Sequence, residues 1–286
     1  MNNMRITAKG IKREARGLLT NNWSRALGAL SIYLMVIVLF IQVGQLVHAL
    51  LADFGPEIER PDKLSSFGDY LSYYTSGGMG ANILITIVLA AFFFLLSAPL
   101  SLGITYWYRK LILLENLQVG QIFRYFHSNA LFFDAVIFQA LSTVIRIGAA
   151  LVSFLPSVVC LALAYTSGIK GAENSTILLG IGIFLALAGF IAYLVITLRI
   201  FFAKYLYCGD YGYGAADCLK YSNMYMKKHI GSVLGVILSF IPWFISCIFI
   251  LPAAYVIPFY NASMAACAQD IIDEHMGETL EKLKKK

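Results

Sequence analysis

From residue 26 to residue 272 the chain is a succession of apolar runs, each about as long as a bilayer crossing or longer, parted by short polar segments. Since about 20 apolar residues carry a helix through the hydrocarbon core, the runs at 26–51, 82–108, 130–163, 177–203, 230–249 and 252–272 predict six spans. At 59% hydrophobic and 13% charged residues, with a mean hydropathy of +0.73, the chain has too little polar surface for a soluble fold. The expectation is an all-α polytopic membrane protein, a single membrane domain of about six transmembrane helices arranged as three hairpins.

The last apolar stretch, 230–272, decides the topology. Its 43 residues hold two crossings with a tight turn near Leu251-Pro252. Lys227 and Lys228 precede it and Lys282, Lys284, Lys285 and Lys286 follow it, which places both flanks inside. The competing reading is one long helix with the C-terminus outside. The N-terminus, with five net positive charges before the first run, also stays inside as a retained signal anchor. Residues 52–80, with Asp53, Glu57, Glu59, Asp62 and Asp69, form an outside loop, and 204–229 an inside connector.

Three inner segments precede hairpins. In the first, 5–22, Ile11, Ala15, Leu18 and Leu19 share one helical face while Lys9, Lys12, Arg13 and Arg16 take the other, predicting an interface-lying basic helix. The second puts Val119, Ile122, Phe123 and Phe126 on a stripe opposed by Gln121, Arg124 and His127. The third, 215–228, is expected to lie along the inner interface and lead into a span near Ile230. Gly231, Gly235 and Ser239 then make a ridge for close packing. These units are either three repeats or the pattern of any six-span protein with basic inside loops.

Several motifs occur in a telling order: Lys12-Arg13-Glu14-Ala15-Arg16 before Asn22-Trp23; Pro99-Leu100-Ser101-Leu102-Gly103; Ala215-Ala216 with Ser222 and Met226; Ser239-Phe240-Ile241-Pro242-Trp243; and Pro258-Phe259-Tyr260-Asn261-Ala262. In this the chain resembles the uncharacterised bacterial integral-membrane family known as domain of unknown function 975. The resemblance covers most of the chain and implies a bacterial cytoplasmic-membrane protein, without a substrate. The chain departs from the family pattern at 166–176, where a longer loop joins the middle hairpin, and at Pro242, which replaces a glycine.

Among single residues, Arg146 is the sharpest. It falls midway along an apolar run, where a charge costs about 2.5–3.5 kcal/mol on insertion scales. It is either an anion or lipid-phosphate contact in a cavity or a snorkelling arginine. Arg199 and Lys204, near an inner helix end, share that choice, with anchoring the plainer reading. The glycine-rich 209–214 lacks the GK[ST] of a phosphate loop and reads as a connector. The tyrosines of 205–225 read as an aromatic belt. Cys160, Cys208, Cys218, Cys247 and Cys267 contain no CxxC pair, and His48, His127, His229 and His275 are scattered, so no metal, cofactor or catalytic constellation is expected.

The net charge of +6, carried by residues flanking the apolar runs, points to anionic lipid headgroups rather than nucleic acid. The function expected is therefore non-enzymatic: a scaffold, regulator or accessory subunit acting through the bilayer and a membrane-protein partner. The alternative is a small-solute or lipid transporter with a cavity near Arg146, and a membrane enzyme comes third.

Overall fold

The computed structural model describes residues 7–52, 77–115, 117–169, 175–209 and 211–284. Among them every regular element is helical. In order these are α1 (Ala8–Thr20), α2 (Trp23–Ala52), α3 (Gly77–Ile112), a 3-10 helix (Val119–Phe126), α4 (Asn129–Ile169), α5 (Ser175–Phe201), α6 (Ala203–Tyr207), α7 (Ala215–Leu238), α8 (Ile241–Ser246) and α9 (Ile250–Lys284). Among the described residues five stretches are long and apolar enough to cross a membrane: Trp23–Val47, Ile83–Ile112, Asn129–Gly168, Ser175–Tyr207 and Ala215–Ser246. The protein is an all-α polytopic membrane protein. Most of the expected outside loop, 53–76, and the middle of the 166–176 loop lie outside the described residues.

The main hydrophobic core sits at one end of the long helices, with further buried positions along the α4–α5 pair at Ala149, Ser157, Ala164, Gly182 and Gly189. Ala26 and Ala29 at the start of α2, Leu100, Leu102, Tyr106, Trp107, Tyr108 and Leu111 near the end of α3, Ala135 and Phe138 early in α4, and Leu198 and Ile200 late in α5 all enter one core. Beyond it the helices turn apolar side chains outward: Leu84, Val152 and Phe184 are 63%, 77% and 70% exposed. This is the surface a helix presents to lipid rather than to water. α4, at 41 residues, is about 61 Å long, twice the ~30 Å hydrocarbon thickness. It pairs with α5 where small residues allow: a Cβ on Gly189 would strike the Ser153 carbonyl, and one on Gly182 the Leu161 side chain.

α9 is packed against protein over the middle of its length. Residues 262–268 are buried on every side of the helix, against α1, α3 and α7, so its neighbours are protein rather than lipid. The Asn261-Ala262-Ser263-Met264-Ala265-Ala266-Cys267-Ala268 run suits such crowding because small side chains let four helices converge. α9 runs antiparallel to α7. Tyr225 stacks on His275 (4.2 Å between ring centroids) at one end, and Phe240 meets Tyr260 (5.3 Å) at the other.

The three inner segments take three different forms. α1 has its Thr7 N-cap, whose hydroxyl accepts from the Gly10 amide (3.3 Å). Its apolar face does not lie in the bilayer interface as expected, because Ile11, Ala15 and Leu19 are buried in the core against α9. The second segment is a 3-10 helix, whose three-residue turn aligns Ile122 and Tyr125 on the buried face and leaves Phe126 38% exposed. The third is no separate interfacial helix: α7 passes unbroken through residues 229 and 230, so the connector and the start of the expected 230–249 span share one axis. That run breaks instead at 239–240 and 247–249. Gly231 and Gly235 face outward with nothing within 4 Å, and pack no helix.

Candidate functional site

On α1, Lys9, Arg13 and Arg16 are exposed. Lys12 is not free with them. Its ammonium donates to the Ser239 carbonyl (2.7 Å) and lies 4.1 Å from the centre of the Phe240 ring. It therefore caps the C-terminus of α7, where carbonyls lack helical partners. Partial burial and the neighbouring Arg16 push its pKa below the ordinary lysine value. The Arg16 guanidinium sits 5.6 Å over the Phe259 ring. Sequence periodicity placed these four cations on one face; the contacts divide them into three surface charges and one clamp.

The glycine-rich turn is a filled connector. Arg109 donates to the Cys208 carbonyl (3.1 Å) and to the Tyr211 hydroxyl (2.9 Å), and Tyr211 folds back over Gly209. Gly212, at φ +73°, supplies the left-handed step that lets the chain leave the turn. Asp210 lies outside the described residues. Behind the turn Cys208 is fully buried, receives the Tyr125 hydroxyl (3.4 Å) and approaches the Leu102 carbonyl (3.5 Å); burial raises its thiol pKa to about 11. The connector's tyrosines stack on one another, Tyr213 on Tyr221 and Tyr221 on Tyr225 (4.9 and 6.0 Å). Among the described residues, no three His, Cys, Asp or Glu side chains converge as a metal site.

The site best equipped to hold a ligand lies among α2, α3, α6 and α9. A cavity of about 200 Å³ is bounded by Leu30 and Tyr33 of α2, by Ser101, Ile104, Thr105 and Tyr108 of α3, by Lys204 and Tyr205 of α6, and by Ile257 and Asn261 of α9. At about 30 Å³ per water it has room for about six waters. Ser101 and Thr105 donate to their own helix, to the Ala98 and Ser101 carbonyls (2.9 Å each), so toward the cavity they are acceptors. The Tyr108 hydroxyl is buried beside Asn261, yet no hydrogen bond of good geometry joins them. The Lys204 ammonium rests near the Phe201 and Tyr205 rings (5.1 and 5.0 Å).

Of the candidate anion contacts Arg146, Arg199 and Lys204, the structure brings Arg146 within electrostatic range of Lys204. Lys204 lines the cavity; Arg146 does not, but stands close enough to act on Lys204 electrostatically. Arg146 is half-buried, and its Nε has no hydrogen-bond partner. Arg199 is not on the cavity wall; its carbonyl accepts the Ser222 hydroxyl (2.6 Å), which ties α5 to α7. The lining hydroxyls were missed in the sequence although a signal existed. Ser101, Thr105 and Tyr108 are spaced i, i+4, i+7, a polar stripe on one face of an otherwise apolar helix.

No family model, curated protein or solved structure matches this chain.

Proposed function

We propose that this is a non-enzymatic multi-pass protein of the bacterial cytoplasmic membrane, with both termini inside, that works as a scaffold, regulator or accessory subunit. It would belong with the domain of unknown function 975 proteins it resembles. The observation that carries this reading is the split character of α1. Its apolar face is committed to the protein core, while Lys9, Arg13 and Arg16 are left outward at the packed end of the helices. Such a rigid basic face attracts anionic headgroups by about 1 kcal/mol per cation near the surface. The contact of α1 with α9 puts the first and last helices side by side.

Transport is the second reading, favoured by the polar cavity at Lys204. Cysteine-accessibility labelling in intact and permeabilised cells tests the first. Positions in 52–80 should react from outside, and position 223 and the C-terminus only after permeabilisation; a C-terminus labelled in intact cells sinks it. Radiolabelled-phosphate flux into proteoliposomes tests the second.

A further inference from the structure

We infer that the cavity bounded by Lys204 is a binding site for a phosphate group. Lys204 and Arg146 are two cations within electrostatic range of each other, and among the described residues no carboxylate pairs with either. Like charges held together in apolar surroundings disfavour each other, and an anion between or beside them relieves both. The cavity wall carries the matching chemistry. It has one ammonium, no carboxylate, the buried Tyr108 hydroxyl without a hydrogen bond, and the Asn261 amide beside it.

These groups come from three separate helices, α3, α6 and α9, and α2 closes the wall, so the site exists only in the assembled fold. A phosphate offers several acceptor oxygens and up to two charges, which fits two cations and several donors better than a halide or a single carboxylate does. The volume of about 200 Å³ has room for a free phosphate ion or for the phosphate of a lipid headgroup. Arg146, which does not line the cavity but acts on Lys204 electrostatically, adds charge rather than contact. The inference concerns what occupies the cavity and holds whether the protein is a scaffold or a carrier.

The test uses the full-length protein in a non-ionic detergent, titrated with inorganic phosphate, and in nanodiscs of phosphatidylglycerol or phosphatidylcholine, with thermal unfolding as the readout. Saturable stabilisation by phosphate identifies the free ion. Stabilisation only in phosphatidylglycerol identifies a lipid headgroup. In either case Lys204→Gln should weaken the effect at least tenfold, Arg146→Gln severalfold, and Lys227→Gln, an exposed control, not at all. The triple variant Lys9→Gln, Arg13→Gln, Arg16→Gln should keep the saturable response, which separates this site from the basic face of α1. If Lys204→Gln does not fold, Tyr108→Phe decides, with a severalfold loss expected. The inference is overturned if neither probe stabilises the wild type saturably, or if Lys204→Gln or, in its place, Tyr108→Phe responds as the wild type does.

Discussion

Gly103 of α3 lies directly against the Ile122 carbonyl of the 3-10 helix, so closely that a Cβ at residue 103 would overlap the Ile122 backbone. The neighbour is main chain and cannot rotate away. Gly103→Ala gains about 1 kcal/mol of helix propensity but forces two elements apart, at about 1–3 kcal/mol. A net loss of about 1 kcal/mol is expected in denaturant unfolding of the detergent-solubilised protein. Gly180→Ala, with nothing within 4 Å of its Cβ, is the control and should be neutral or slightly stabilising.

Lys12 should matter more than its neighbours on α1. Lys12→Gln removes a charge-assisted bond to the Ser239 carbonyl and the contact with Phe240. The expected cost is about 1.5 kcal/mol. Lys9→Gln, on the exposed face, should stay within about 0.5 kcal/mol of wild type. Equal effects in chemical denaturation would mean that Lys12 is no clamp.

Asp270 gives a stability that falls with rising pH. Burial first, then Glu14 and Asp273, raise its carboxyl to about 6 from an unperturbed 3.8. The folded state therefore holds a proton that the unfolded state has released. Below the unfolded value both states are protonated and the contribution is intact; it is lost as pH climbs from about 4 through 6. Asp270→Asn should flatten this slope and raise the melting temperature above pH 6. A wild-type slope retained in Asp270→Asn would assign the effect elsewhere.

Thiol reactivity should follow burial. Cys208 and Cys267, with pKa values raised to about 11 and about 12 by burial, should resist maleimide in the folded protein. Partly exposed Cys247 should react. Mass spectrometry of labelled peptides before and after denaturation reads the order directly.

How far the sequence could be read depends on which physical effect sets each feature. The long spans were legible because apolar length is a local property: α2 and α4 begin within three residues and one residue of the expected runs at 26 and 130. The amphipathic face of α1 was legible too, but periodicity cannot tell lipid from protein. Ala15 and the small residues of α9 turned it inward. The 3-10 form of 119–126 escaped because a stripe over eight residues fits a three-residue turn as well as an α-helical one.

By itself the sequence determined the solvent and the secondary structure: a helical chain in a bilayer, basic at its packed end, with Arg146 and Lys204 as costly charges that need a reason. Tertiary structure alone decided that α9 is enclosed, that Lys12 is a clamp while Lys9, Arg13 and Arg16 are surface, and that Lys204 meets Tyr108 and Asn261 across a cavity. The physical reason is range. Hydropathy and helical period act within a few turns of chain, whereas burial, capping by a distant ammonium and the convergence of four helices bring together residues up to 231 positions apart in the sequence, from Leu30 to Asn261.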